Sequence, residues 1–514
     1  MLRQLFGTIT TSPFTLQNIP DFPYMEWNQM QSRYIEYSNW YKSVPLTEIT
    51  YDKTSGTTID KYPLKINPIP NSCERHATVL LGNTIESIRD SGVPIKFAMR
   101  TTDSDRNSVI VDTITDAFIY GGGGALFSSN AVLSQYLGGS IWGVTFKPND
   151  PIQQYQVITP EPTEFYGIPD GTNLWRLREC WFVREISASD AQNYGYAVSD
   201  VTNTNIKYYY IEHWTKDSYR ISVNETTMTI DGVSLEGTNP FGLVPFVYIP
   251  HIRNGGFWGQ TMITETIKGV ILEMNLRYAD IGDAVSDDSH ATIAVRGVRT
   301  GIKKVELPSG RIANDIGASA GLSPNDTQPD MFAVQTSSTS APMLANVDRL
   351  EAIYRREARH PAVADGEDEG SQRSSLTLTT RMFPLVTHIK LERINWTVGM
   401  ITLANIILKI CQVKGINGIT EEDLKEKLIV KWAPMLPVDR ESLVNEITIR
   451  AKSKLGSQRH LLDMFQDIDN VDQELVQIQK EADAVAEKEK QAMIDKAAAQ
   501  PAPDVIMPQA QNQP

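Results

Sequence analysis

The sequence is poor in the residues that most often announce chemistry. Its 514 residues hold three cysteines, Cys73, Cys180 and Cys411, far apart along the chain. No disulfide framework follows from them, and a reducing compartment suits them. No Gly-Lys dipeptide occurs, so no lysine stands ready to reach nucleotide phosphates and there is no Walker A loop. Tyr120-Gly121-Gly122-Gly123-Gly124 therefore reads as a hinge or a close-packing turn rather than a phosphate cradle. There is no H-E-x-x-H, and Cys73-x-x-His76 has no second Cys/His pair at zinc-site spacing, so the seven scattered histidines read as structural. Positive charge is not in excess: 48 Lys+Arg against 62 Asp+Glu give a net charge of −14, which argues against a general nucleic-acid coat but leaves local basic patches open. The opening MLRQLFGTITTSPF is too polar and interrupted for a secretory leader. The most apolar run, 394–410, contains Asn395, Asn405 and Lys409 and falls short of the ~20 apolar residues that a membrane helix needs. The expectation is a soluble protein, intracellular or assembled inside a cell, with no membrane partner.

What is present is organisation. Apolar residues make up 41% and charged residues 21%, and the chain is long enough for several domains and a large core. Trp27, Met30, Tyr34, Tyr37 and Tyr41 recur at three- and four-residue steps and predict a helix whose aromatic face packs in a core or interface. A second helix is expected from about Arg75 to Ile88, followed by strand near Ile95–Met99. Between 140 and 250, runs at Trp142–Phe146, Gln154–Ile158, Arg178–Ile186, Ile206–His213 and Tyr219–Val223 are rich in Val, Ile, Tyr and Trp and punctuated by turn residues, which predicts a β-rich subdomain. Pro245, Pro250 and Gly255-Gly256 mark its end.

Two long helices then flank an irregular insert. Ile263, Ile267, Val270, Ile271, Met274, Tyr278 and Ile281 follow helical spacing in the first. The second begins near Pro342, a favoured first-turn residue, and must stop near His360, because Pro361 disfavours helix before it. The insert, 291–335, reads as strands and turns. Arg296, Arg299, Lys303, Lys304 and Arg311 stand there against Glu306 alone, a local reversal of the chain's sign. A long helix is expected from about Ser375 to Val413, with Pro384 kinking it. Leu428–Trp432 reads as a strand, Asp439 as the cap of a further helix, 458–496 as a charged helical stretch, and the Pro-, Ala- and Gln-rich tail from Ala497 as disordered.

The stretch VADGEDEGSQRSS, residues 363–375, carries the densest carboxylates: Asp365, Glu367, Asp368 and Glu369. Set against a calcium loop, Asp365 takes position one and Gly370 the obligatory glycine, but Leu376 stands where the bidentate Glu belongs. A solvated charge run is the chemical reading, as it is for the Asp467–Asp472 cluster, where a cation is the alternative. Gly317-Ala318-Ser319-Ala320-Gly321 matches a nucleophile elbow in letters only, because no helix pattern follows Ser319 before Pro324.

The order of parts resembles the portal proteins of tailed bacteriophages over some 480 residues. The segments that carry the likeness are VPFVYIPHIRNGGFWGQTMITETIKGVILEMNLRYADIGDAVSDDSHATIAVRG, LEAIYRREARHPAVADGEDEGSQRSSLTLTTRMFPLV and EKLIVKWAPMLPVDRESLVNEI. Gly259-Gln260-Thr261 stands where that family often has Gly-x-Ser. The resemblance implies an α+β portal fold, mainly helical, with a β-rich wing subdomain and a small α/β clip. It implies a ring, usually of twelve subunits, around a central channel at one capsid vertex of the virion, assembled in the host cytoplasm.

On that resemblance, 1–255 with 376–455 would be the wing, 256–288 and 340–362 the stem helices, and 289–339 the clip. Residues 363–375 would be the tunnel loop, 456–496 the crown and 497–514 the tail. The implied partners are double-stranded DNA in the channel, the terminase large subunit at the clip, major capsid and scaffolding proteins, and a head-completion or adaptor protein. No cofactor, metal or catalytic residue is implied. Glu369, Gly370, Ser371, Gln372, Arg373 and Ser374 would border DNA or a neighbouring subunit, with Lys390 as a further channel cation. Arg296, Arg299, Lys303 and Lys304 would meet motor, adaptor, DNA or a neighbour. Two other readings stand beside it: another structural phage head or baseplate protein, and a metal-dependent nuclease using the carboxylates at 365–369.

Overall fold

A computed structural model describes residues 16–47, 65–82, 93–99, 104–146, 154–193, 207–224, 226–227, 229–230, 233–289, 292–296, 303–306, 312–315, 330–334, 340–365, 375–436, 440–464 and 471–498. The chain divides into two compact units, one of residues 1–82 and 91–435, the other of 83–90 and 436–514. Helix and strand are mixed throughout the first, as the α+β expectation requires.

The first unit starts with α1 (Tyr24–Tyr41), which buries Met30, Tyr34 and Trp40 as its aromatic spacing predicts. Helix α2 (Ile69–Leu81) starts earlier than the expected Arg75, because Pro70 serves in its first turn, and Gly82, at φ 83°, ends it; 83–88 of the expected helix lie outside the described residues. Strand β1 (Ile95–Met99) leads to two helices without counterpart in the sequence reading, α3 (Ser104–Gly121) and α4 (Gly124–Leu137). The glycines between them form the close-packing turn anticipated there: a Cβ on Gly121 would sit 2.2 Å from the Val157 carbonyl oxygen, and Gly122 and Gly123 take φ of 119° and 56°.

Among the described residues the β-rich stretch forms two main sheets, with Thr229–Ile230 and Val233–Ser234 pairing apart from them. Strands β2 (Gly139–Phe146) and β3 (Tyr155–Ile158) belong to one; β4 (Phe165–Pro169), β5 (Leu177–Ile186), β6 (Tyr208–Thr215), β7 (Ser218–Val223) and β8 (Glu236–Thr238) belong to the other. The larger sheet runs β8-β7-β6-β5-β4, all antiparallel, with Thr226–Thr227 beside β7. The smaller runs β9-β2-β3, where β9 is Phe246–Pro250 and is buried at every position. Helices α5 (Glu265–Ser289) and α6 (Ser340–Glu357) flank the insert strands β10 (Thr292–Arg296), β11 (Lys303–Glu306), β12 (Ile312–Asp315) and β13 (Asp330–Val334).

Helix α7 (Ser375–Lys414) spans 40 residues with Pro384 inside it, and β14 (Leu428–Trp432) pairs antiparallel with β1, more than 300 residues earlier. By length and composition Thr380–Lys414 could cross a membrane, since its scattered polar residues are diluted over the helix, but over half of its most apolar window is buried inside the fold. Its Trp396 meets Trp142 of β2 at 5.7 Å between ring centroids, and Trp142 in turn meets Phe127 of α4 at 5.0 Å. Phe127 meets Phe118 of α3 at 5.3 Å. Large rings from four elements thus fill one core, each worth several kcal/mol of burial by ~25 cal/mol per Å².

In the second unit, α8 (Arg440–Lys452), α9 (Gln458–Asp463) and α10 (Val471–Ala498) follow one another. Lys454 in the left-handed region closes α8, and the Ser457 hydroxyl accepts from the His460 amide to cap α9. The expected cap Asp439 and the tail from 499 lie outside the described residues, as do 467–470 of the acidic cluster.

Gly138 tests the tightest joint. It takes φ 86° between α4 and β2, and a Cβ there would lie 2.7 Å from the Gly259 carbonyl oxygen. Its own carbonyl accepts from the His251 amide (2.9 Å) and the Tyr248 hydroxyl (3.1 Å). Gly138→Ala is expected to cost about 2 kcal/mol or more. A thermal or denaturant midpoint equal to that of the parent would refute the assignment.

Candidate functional site

The two helices beside the insert pack along an apolar seam. Ile263, Ile267, Ile271 and Met274 lie with Tyr354 and Ala358 in a core shared with Trp40, Leu46, Ile69 and Cys73. Farther along, the Tyr278 hydroxyl donates to Glu351 (2.9 Å), and burial together with that carboxylate pushes the phenol up to about 12. The insert closes on itself in two antiparallel ladders, β10 with β13 and β11 with β12. The register puts Arg296 opposite Asp330, Lys303 opposite Asp315 and Lys304 opposite Asn314, so two of the basic positions face an acidic one across a ladder. Arg299 lies outside the described residues, as does Gly317–Gly321 with Ser319.

Helix α6 stops at Glu357. Arg359 turns the chain at φ 53°, the His360 amide bonds back to the Arg355 carbonyl (2.8 Å), and Pro361 follows, as its helix-breaking geometry predicts. A 3₁₀ turn, Ala362–Asp365, comes next, and α7 begins at Ser375. Glu369, Gly370, Ser371, Gln372, Arg373 and Ser374 lie outside the described residues. Lys390 is exposed on α7. At 100° per residue it lies at the edge of a helix face formed by Phe383, Thr387, Leu391 and Ile394. Phe383 is 62% exposed, Leu391 51% and Ile394 60%, which makes an apolar face on the outside of the unit.

The opposite side of α7 is buried and polar in a way that spacing alone does not reveal. Arg393 donates to the carbonyls of Leu80 (2.8 Å) and Val79 (3.3 Å), at the end of α2, and of Ala433 (2.8 Å), just past β14. Its guanidinium lies 4.9 Å from the Trp432 ring centroid, and burial lowers it to about 10. The neighbouring Glu392 is fully buried. It accepts from the Gln135 amide (2.8 and 3.0 Å) and the Ser134 hydroxyl (3.3 Å), both on α4. Burial outweighs those donors and raises its carboxyl to about 8, so it is protonated at neutral pH.

Four of the seven histidines, from four separate segments, converge beside Glu392. His76 of α2 and His388 of α7 lie 5.6 Å apart between centroids, and His251, just after β9, lies 5.3 Å from His388. His360 stacks nearly parallel to His76 at 6.4 Å, and His251 Nε2 is 3.7 Å from Glu392. Burial holds His76 well below the usual imidazole range, and lowers His251 to about 4 and His388 to about 3. These three rings are therefore uncharged at neutral pH. The structural reading of the histidines stands for these four, but not their scatter. Among the described residues, no group of three or more His, Cys, Asp or Glu is arranged to hold a metal ion. Burial raises all three cysteine thiols, Cys411 to about 12, which removes them as nucleophiles.

Glu392 supplies a signed pH test. Its folded value lies above its unfolded one, so its contribution is complete in acid and lost as pH rises toward 8. Between pH 6.5 and 8 the histidine terms are common to parent and variant and cancel in the comparison. Parent protein is expected to lose roughly 1.4 kcal/mol per pH unit relative to Glu392→Gln across that window. Parallel midpoint-versus-pH curves for the two proteins would show that Glu392 is ionised in the fold.

No curated protein was found to match the chain. Residues 26–488 match the family described as phage portal protein, SPP1 Gp6-like. The match spans well over half of the sequence, and the chain belongs to the phage portal protein family.

Proposed function

We propose that the protein assembles as a ring, of about twelve copies, at the capsid vertex of the virion, and that double-stranded DNA is packaged and ejected through its centre. The observation that carries this reading, beside family membership, is the apolar face of α7. A lone chain leaves Phe383, Leu391 and Ile394 in water, and a neighbouring copy would cover them at a gain of about 1–2 kcal/mol per side chain. On this reading 256–288 and 340–362, with α5 and α6, are the stem, 289–339 with β10–β13 the clip, 1–255 with 376–455 the wing, and 456–496 the crown.

The segment that includes Glu369–Ser374 borders the channel. Its carboxylates repel phosphate, while Arg373 and Lys390 give brief contacts, because a conduit that retained phosphate would raise a barrier to movement. Arg296, Arg299, Lys303 and Lys304 serve docking at the clip, first of the terminase large subunit and later of a head-completion protein, with capsid and scaffolding proteins gripping the outer wall. Assembly takes place in the host cytoplasm.

Negative-stain images and sedimentation of the purified chain test the reading. Rings with a central hole are expected, and Phe383→Asp with Leu391→Asp should shift the population to monomers that keep their circular dichroism. A monomeric parent under assembly conditions would overturn the proposal. Deleting 366–373 should leave rings intact but impair packaging or retention of DNA; loss of the rings would instead place that segment in a subunit interface.

A further inference from the structure

The buried histidines sit where the chain leaves α6 and where α7 runs past. The end of α6 brings Arg359 and His360, together with Tyr354, whose hydroxyl is 2.8 Å from that of Ser72. Helix α2 brings His76 and Cys73; α7 brings His388, Glu392 and Arg393; the segment after β9 brings His251; and α4 brings only the neutral Ser134 and Gln135. Arg359 donates to Nδ1 of His388, which an arginine can do only while that nitrogen is unprotonated. His76 is fully buried within reach of the Ala358 backbone at the end of α6 but makes no well-formed hydrogen bond from either ring nitrogen, and Nε2 of His251 likewise has none.

Among the described residues packed here, no negative charge waits to receive an imidazolium. Glu392 is neutral over the range in which histidines protonate, and Arg359 is positive. Charging these rings where they lie would put like charges together without water. The elements are not equally free to relieve that. Helices α2 and α7 are tied together by Arg393 and carry the core, whereas α6 ends here in a left-handed residue and a short turn. Separation at the end of α6 costs least.

We propose that this cluster is a proton-operated latch: neutral, it holds the end of α6 against α2 and α7, and protonation of its imidazoles releases that end. The latch stands whether or not residues 366–374 line a channel, since it concerns the two helices themselves.

Hydrogen exchange of the full chain, read by mass spectrometry at pH 7.5 and 5.0 and corrected for intrinsic rates, tests it. Opening of segments 354–362 and 380–392 is expected to rise at least about tenfold at the lower pH, since each released imidazole regains its ordinary affinity for a proton. The β9-β2-β3 sheet should change little. Equal acceleration of that sheet would mean general acid loosening, and no acceleration would mean no latch; either overturns the proposal. His388→Asn keeps an acceptor for Arg359 and should flatten the pH response. Should that variant not fold, exchange of the imidazole C2 protons in the parent decides: midpoints near 6.5 for His76, His251 and His388 would also overturn it.

Discussion

Two adjacent residues on one turn of α7 hold the first unit together, and they do so with opposite chemistry. Arg393 spends its donors on carbonyls that a helix end and a strand end leave unsatisfied, and so fixes α2 and β14 to α7. Glu392 goes the other way, uncharged, into donors from α4. A buried ion pair between the two would have satisfied neither neighbour. Because each looks outward from α7, three elements, α2, β14 and α4, are tied to one helical turn. The aromatic core of Trp396, Trp142, Phe127 and Phe118 then packs in the space so defined.

Much of this was legible in the residues. Strands β3, β5, β6 and β7 fall within two residues of the Val-, Ile-, Tyr- and Trp-rich runs and β2 within three, because half-buried antiparallel strands favour such residues, whereas β4 matched no run. Pro342 and Pro361 bracket α6, and β14 matches its run residue for residue. Helices α3 and α4 were not legible. Buried Asn130, Ser134 and Gln135 break the apolar stripe of α4, and the glycines before it look like a loop, which they are, but a loop of only two or three residues. The partnership of β1 with β14, and the meeting of His76, His251, His360 and His388, depend on contacts between distant segments that no local period encodes. The outward face of α7 was hidden for another reason: the helix is apolar almost all round, so the pattern could not say which side the fold would leave uncovered.

The uncovered side matters for how a lone chain behaves. Phe383, Leu391 and Ile394 on α7, Met25 and Ile35 on α1, and Val476 and Val485 on α10 are all more than half exposed. On α1 and α7 such residues stand opposite a face committed to the core, whereas the described part of α10 is exposed almost all round. The net charge of −14 works against indiscriminate self-association, so contact must come from matched faces rather than general stickiness.

The ladders between α5 and α6 carry a last consequence. Because β10 pairs with β13, the chain leaves one helix and enters the other at neighbouring points, with every residue of the insert enclosed between them. The insert is thus a cassette: its length and surface can change over generations while the helix pair below keeps the same seam of Ile267, Ile271, Met274 and Tyr354. A protein built this way can acquire a new docking partner at one end without renegotiating the packing of the other.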